Sequence, residues 1–223
     1  MTYDTSKDPR IQVCQHASEL LKKSLQMKLG VQLSVSRDFL ERLSQSIDSS
    51  IMTLMYMYQE PRELASSDQM KELVNAGKSL EDGIGPVLES PDANPLVRAR
   101  LRWVLRTLIE LPVRMETPGK TLASGVDILA LQIRSVVAKD PYWITRVTDG
   151  KADVTVVTNI PNLKAGNVLA ASFLPPREVG GTVSEAMFLG SELRSDPAGT
   201  MFTEDQVDAK EATSILYQDL QKK

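Results

Sequence analysis

The stretch from Asn94 to Leu111 most limits what this chain can fold into, because it specifies one complete amphipathic helix. Asn94 can accept a hydrogen bond from a backbone amide of the first turn, and Pro95 then falls at the first helical position, where its missing N–H costs nothing. Pro112 ends the helix, since proline cannot donate to the preceding turn. At about 100° per residue, one arc holds the apolar side chains Val97, Leu101, Val104, Leu105, Leu108 and Leu111.

The opposite face of this helix carries the least ordinary chemistry of the sequence. Arg98, Arg102 and Arg106 recur every four residues and form a stripe, and Trp103 lies roughly 60° beyond it. Arginine and tryptophan are enriched in binding hot spots because they combine large contact area with polar reach. We therefore predict that these four side chains point outward and bind a partner.

The charge pattern offers a competing interpretation of the arginine stripe. Residues 61–95 hold three basic and seven acidic residues, whereas residues 96–139 hold eight basic and three acidic ones. Acidic and basic segments that follow each other often neutralise one another across a helical hairpin. In that case the arginines would pair with carboxylates such as Glu72, Glu81 or Asp82.

Periodic apolar residues predict about five helices within residues 1–140, which we expect to form a bundle-like helical domain. Besides the helix above, the expected segments are 9–29 after the cap Asp8, a helix from Ser34 or Ser36 to Tyr58, a short helix 66–77 and a last helix 122–138. Glycines and prolines in residues 78–95 are typical of a turn-rich connector with at most one helical turn.

The second of these helices ends in an apolar run in which Met52 and Tyr56 lie beyond the main stripe. Core packing is the commoner role of such residues. The alternative is an adaptable binding groove, which suits methionine because its side chain is unbranched and polarizable. Met52 and Tyr56 are therefore a second candidate partner-binding site.

Residues 141–223 have a different pattern, which predicts a small α+β region. Alternating β-branched residues around the dipeptide Asp149-Gly150 predict a β-hairpin over 142–158. The other expected elements are a third strand at 168–174 and helices at 184–193 and 203–221, the last opening with a capping box in which Gln206 reaches back to Thr203. The expected fold class is thus mainly α, with this α+β region ending in a C-terminal helix.

Residues for common catalytic and metal sites are scarce. With one cysteine, Cys14, and one histidine, His16, the chain can form neither an internal disulfide nor an ordinary zinc site. Cys14 lies on an apolar stripe and points about 160° away from His16, which predicts a buried structural thiol. We expect no cofactor and no metal. Because the sequence has no secretory signal and no run of about 18 apolar residues, we also expect a cytoplasmic protein without a membrane span.

These observations favour a non-catalytic protein–protein interaction subunit, an adaptor, scaffold or chaperone-like component that binds other subunits of a multiprotein complex. The alternative is a nucleic-acid-binding protein that uses the arginine-rich helix 95–111, with Trp103 stacking on a base. The formal net charge of −3 and the pI near 5.4 speak against that alternative. An enzyme with a pocket near Gly180 and Gly181 is a third, lower-weight hypothesis.

Overall fold

The computed structural model describes residues 3–222, and the chain divides into two compact units, Met1–Gly125 and Val126–Lys223. Among the described residues, seven α-helices and two short 3₁₀ turns together account for 47% of the chain, and a curled antiparallel sheet has five strands. The fold class is therefore mixed α and β. The expectation of a mainly α protein is wrong in that respect, because the second unit contains more strand than its sequence pattern indicated.

The first unit is a bundle of helices. Its elements are α1 (Pro9–Gln26), α2 (Arg37–Met55), α3 (Pro61–Ser66), α4 (Asp68–Glu89), α5 (Pro95–Ile109) and α6 (Leu111–Met115), with short 3₁₀ turns at Thr5–Lys7 and Leu122–Gly125. Helix α1 packs against α2 and α5, and α4 packs against the same two helices. The predicted helical N-terminal part is thus confirmed, and its core includes Leu21, Leu40, Ile47, Leu73, Leu80 and Leu101.

Three predicted helix starts, at Asp8, Ser36 and Asn94, are confirmed by their capping hydrogen bonds. Asn94 Oδ1 accepts from the amides of the second and third residues of α5, at 3.1 and 3.2 Å. Ser36 Oγ accepts from the amide of Phe39 at 3.1 Å, and Asp8 Oδ1 accepts from the amide of Arg10 at 2.8 Å. In each case the cap satisfies an amide that has no partner within the helix.

Helix α4 continues through the region predicted to be a turn-rich connector, so that prediction is wrong. A Cβ added to Gly77 would lie 3.1 Å from Ile109 Cγ1, and one added to Gly83 would lie 3.1 Å from Leu40 Cδ2. These glycines therefore permit close helix packing and do not end the helix. Pro86 lies near the end of α4, where it removes one backbone hydrogen bond. The apolar face that stabilises α4 comprises Met70, Leu73, Leu80, Ile84 and Val87.

A buried ion pair holds the start of α1. Asp8 and Arg10 are each 1% exposed. Arg10 donates from Nε and Nη2 to the two carboxylate oxygens of Asp8, at 2.9 and 2.6 Å, and from Nη1 to the carbonyls of Arg114, at 3.0 Å, and Thr117. Tyr3 Oη donates to Asp8 Oδ2 at 2.7 Å. The network joins α1 to the chain at the end of α6.

The second unit is built on a curled sheet. Its strands are β1 (Ile128–Lys139), β2 (Tyr142–Thr148), β3 (Asp153–Thr158), β4 (Val168–Ser172), β5 (Arg177–Val179), β6 (Thr182–Ser184) and β7 (Met187–Phe188), followed by α7 (Lys210–Gln221). The five-stranded sheet has the order β3-β2-β1-β4-β7, and all of its pairs are antiparallel. Strands β5 and β6 form a separate hairpin.

Two features curl this sheet towards a barrel. Strand β1 pairs first with β4 and then with β2, and its register with β2 shifts between Ile133 and Ser135, which marks a bulge. At the edge of the sheet formed by β3, the amide of Glu185 donates to the carbonyl of Thr155 at 2.9 Å, and the amide of Val157 donates to Ser184 Oγ at 3.0 Å. The outer edge of β3 is therefore hydrogen-bonded by the chain that leads into β7.

The helix predicted at 122–138 is wrong, because these residues form a 3₁₀ turn and most of strand β1. Residues 128–131 are all buried, because this part of the strand faces protein on both sides. Its side chains therefore form a continuous apolar run without alternation, and such a run cannot be distinguished from a buried helix by periodicity alone. The β-branched residues Ile128, Ile133, Val136 and Val137 favour the extended conformation. Since β1 belongs to the second unit, the division between the units comes after Gly125, earlier than the boundary expected at residue 140.

Other predictions for the second unit divide into confirmed and corrected ones. The hairpin at 142–158 is present as β2 and β3, and the strand at 168–174 is present as β4. The helix predicted at 184–193 is wrong, because these residues form the end of β6, strand β7 and a turn. The C-terminal helix exists but begins at Lys210. Gln206 Oε1 accepts from the amide of Thr203 at 2.7 Å as predicted, but the residues that follow Thr203 form a turn and not the first turns of a helix.

In the described part of the chain, residues 3–222, no helix combines the length and apolar character needed to cross a membrane.

Candidate functional site

Trp103 does not point outward, so the predicted orientation of its indole is wrong. Its side chain is 4% exposed, and its ring meets the imidazole of His16 edge to face, with 6.0 Å between the ring centres. The physical reason is the central position of α5, which packs against both α1 and α4. Helices α1 and α4 together cover more of the α5 surface than the face that carries its aliphatic residues. Trp103 lies on the part that α1 covers.

Two arginines of α5 bind backbone carbonyls at the end of α4. Arg98 Nη1 donates to the carbonyl of Ser90 at 2.7 Å, and Arg102 Nη2 donates to the carbonyl of Leu88 at 3.1 Å. The last carbonyls of a helix have no partner within it and carry partial negative charge, so a guanidinium stabilises them. Arg106 is half-buried. These contacts give the arginine stripe a structural role, and partner binding by Arg98, Arg102 and Arg106 stays a prediction.

Met52 and Tyr56 lie on the surface of the first unit. Met52 is 39% exposed and Tyr56 is 58% exposed, one helical turn further along the same face at the end of α2. The core role that we considered commoner for them is therefore wrong. Their use as a binding site stays a prediction.

Cys14 and His16 do not form a catalytic pair. The Cys14 side chain is fully buried, and its Sγ donates to the carbonyl of Thr107 at 3.5 Å. Burial raises the pKa of the thiol to about 12, so the thiol stays protonated at neutral pH. Within residues 3–222, no group of three His, Cys, Asp or Glu side chains is placed to hold a metal ion.

The second unit presents a surface that the sequence analysis missed, and we call it the outer face. It consists of the side chains on the solvent side of the first three strands: Ser135, Val137 and Lys139 from β1, Tyr142, Ile144 and Arg146 from β2, and Thr155 and Val157 from β3. All eight are exposed or half-buried, whereas Thr145, Val147 and Val156, which point the other way, are buried. Alternate side chains of paired strands share one face, which explains this division.

The outer face is organised in rows across the strands. One row joins Val137, Ile144 and Val157, and it is apolar. Beside it, Lys139 lies opposite Tyr142, whose side chain is 37% exposed. This end of the outer face therefore offers an aromatic ring and aliphatic surface to a ligand.

Cations lie in the rows on either side of the apolar row. Arg146 lies opposite Ser135 in the next row, and the bulge places Arg134 beside that pair. Among the described residues, neither the Arg134 nor the Arg146 guanidinium has a carboxylate partner. Lys139 Nζ is held 3.3 Å from Thr182 Oγ1 of the β5–β6 hairpin. The outer face, together with Arg134 at its margin, thus combines an apolar centre with three positive charges.

Part of this surface was visible in the sequence. The alternation of β2, read as Y-W-I-T-R-V-T, puts Tyr142, Ile144 and Arg146 on one side of a strand. The contribution of β1 was hidden, because residues 122–138 were assigned to a helix.

Comparison with known proteins finds a curated relative and a family model that match this chain. The DNA mismatch repair protein MutS of Synechococcus sp. (strain JA-2-3B'a(2-13)) is 29% identical to this chain over 150 residues. The match covers 66% of this chain, which spans only 16% of the length of that relative. The family model described as an alpha helical domain matches residues 1–117, the part of the chain that forms α1 to α6. Since that match covers more than half of the chain, this protein belongs to the alpha helical domain family.

Proposed function

We propose that this chain is a non-catalytic binding protein and that the outer face of its second unit binds single-stranded nucleic acid. The observation that carries the proposal is the arrangement of that face, on which an aromatic ring and an apolar row are flanked by Arg134, Lys139 and Arg146. Five-stranded, partly open barrels with one long shared strand are the architecture of the OB-fold, which binds oligonucleotides on the face of its second and third strands.

The apolar row favours a single strand over a duplex. Nucleobases of a single strand are free to stack on aromatic and aliphatic side chains, and this stacking tolerates many sequences because every base has a π face. Tyr142 and Ile144 are placed for such contacts. A three-stranded sheet face is too broad to enter a duplex groove, where base edges are otherwise read.

The cations supply contacts to phosphates. Arg134 and Arg146 are the better suited, because a guanidinium matches the geometry of a phosphate oxygen pair. The formal net charge of the chain is −3, so no general attraction to polyanions supports binding. We infer a ligand of a few nucleotides held by local contacts.

The name of the curated relative, a DNA mismatch repair protein, is in keeping with this proposal. A reducing cytoplasmic compartment suits the single buried thiol of Cys14.

Fluorescence anisotropy with a labelled twelve-nucleotide oligo-dT tests the proposal. We expect the unmodified chain to bind it more tightly than a twelve-base-pair duplex. Three phosphate contacts predict a plot of log K against log salt concentration with a slope of roughly −2. Tyr142→Ala should weaken binding by about tenfold, since stacking contributes about 1–3 kcal/mol per base. Absence of binding at low salt, or equal binding of single strand and duplex, would contradict the proposal.

A protein partner at Met52 and Tyr56 is the second candidate, in keeping with an adaptor or scaffold role. The exposure of both side chains favours it, because adjacent exposed Met and Tyr residues are enriched at interfaces. We expect a Met52→Gln/Tyr56→Ser variant to stay folded and to lose a partner that the unmodified chain captures from its native source. The matched control is Tyr217→Ser, whose side chain is 60% exposed on α7. Capture that is equal for all three chains would count against this surface.

A further inference from the structure

A cavity of about 150 Å³ lies in the second unit, and its walls are mainly apolar. The residues that line it include Val157 of β3, Leu174 after β4, Met187 of β7 and Ile215 of α7. The one hydroxyl in the wall, Ser184 Oγ, already accepts from the amide of Val157 and donates to the carbonyl of Ala186, both at 3.0 Å. The cavity therefore recognises shape and apolar surface more than hydrogen-bonding groups.

The cavity borders the outer face. Val157 belongs to both, and it lies opposite Ile144 in the apolar row. On the other side, the ring of Tyr142 lies beside the β5–β6 turn, where a Cβ added to Gly180 would be 3.7 Å from Tyr142 Cδ2. The neighbouring residue Val179 lines the cavity. A ligand that rests on Tyr142 and Ile144 is thus next to the cavity.

The cavity also has a cation in its wall. Arg177 is 43% exposed, and its Nη2 donates to Asp219 Oδ2 at 2.5 Å. The other oxygen of Asp219 lies 3.1 Å from Lys222 Nζ. Two cations therefore share one carboxylate, which leaves the cluster positive. The Asp219 bond uses one of the five N–H donors of the guanidinium, so a second anion can be bound.

We propose that this cavity receives one pyrimidine base of the strand bound on the outer face, with the phosphate of that nucleotide on Arg177. The inference rests on the function proposed above. A cavity of about 150 Å³ is known to accept a six-membered ring such as benzene, whereas a purine is larger. The apolar C5–C6 edge of the pyrimidine enters first, because burying its polar edge without partners would cost free energy.

Filling the cavity tests the inference. We expect the unmodified chain to bind twelve-nucleotide oligo-dT roughly tenfold more tightly than oligo-dA, the selectivity that a well-fitted apolar pocket provides. Ala186→Leu should abolish this preference, because Ala186 is buried in the cavity wall. Ala165→Leu, the same change in an exposed loop, should preserve it. Circular dichroism checks the fold, and Ala186→Val provides a smaller filling should the leucine perturb it.

Mononucleotides test the phosphate contact separately. In methyl-labelled protein we expect thymidine monophosphate to shift the NMR signals of Met187 and Ile215, and deoxyadenosine monophosphate to leave them unchanged. Arg177→Gln should weaken binding of thymidine monophosphate and leave that of thymidine unaltered. If oligo-dT binds but cavity filling has no effect and no methyl signal shifts, the cavity inference fails while the proposed function stands. If oligo-dT does not bind, the proposed function itself fails.

Discussion

Replacing Arg10 with methionine is expected to lower the free energy of unfolding of the first unit by about 3–5 kcal/mol, the usual cost of removing one member of a buried ion pair. Methionine keeps the apolar part of the side chain, so the change mainly removes charge and hydrogen bonds. It leaves the buried carboxylate of Asp8 without its bidentate partner, and it leaves the carbonyls of Arg114 and Thr117 without their donor. Urea unfolding measures the effect.

The two tryptophans allow each unit to be followed by itself. Trp103 lies in the first unit and Trp143 in the second, so a Trp143→Phe background reports on the helical bundle alone. The matched control is Lys7→Met, because Lys7 is 82% exposed and pairs with Asp4 at the surface. We expect that control to unfold at the same urea concentration as the parent chain. Equal stability of the Arg10→Met chain would contradict the role given to the buried pair.

The same network predicts how stability depends on pH. Burial opposes ionisation of Asp8, but hydrogen bonds from Arg10 and Tyr3 outweigh it and hold the pKa of Asp8 below its ordinary value. A lowered pKa in the folded state stabilises the fold above the unfolded-state value of about 4, and this contribution is lost as the pH falls further. Because the Arg10→Met change removes the main partner of Asp8, it should reduce this acid sensitivity.

Three helix starts of the first unit were predictable from the sequence because a cap acts locally. Asn94, Ser36 and Asp8 each bind an amide within three residues, and such short-range geometry leaves a clear sequence pattern. Helix ends and interiors depend on distant neighbours. Gly83 lies inside α4 because Leu40, far away in the sequence, packs closely against it. The local sequence does not show this contact, so Gly83 resembled a residue that ends a helix.

The candidate site was less predictable than the fold, for two physical reasons. An amphipathic pattern shows which face of a helix is apolar, but it does not show how many other helices pack around that helix. The burial of Trp103, on the side of α5 that faces α1, was therefore not predicted. A strand that is buried on both faces has no alternation, so the first half of β1 imitated a helix and concealed the position of Arg134. Only the parts of the outer face on β2 and β3, the predicted hairpin, could be recognised from the sequence pattern.

Reversing both charges in an Arg134→Glu/Arg146→Glu variant is expected to weaken oligo-dT binding by on the order of 30-fold, about 2 kcal/mol. Each phosphate contact that is lost makes the salt slope about 0.7 less negative, so the loss of two contacts should change the slope from roughly −2 to about −0.7. The matched control, Arg98→Glu/Arg102→Glu, makes the same charge change on α5. It should leave affinity and slope unchanged if the outer face is the binding site. Because Arg98 and Arg102 also hold carbonyls at the end of α4, circular dichroism must show that the α5 variant is folded. Loss of binding in the folded α5 variant alone would instead assign the nucleic acid to helix α5, and loss in neither would exclude both surfaces.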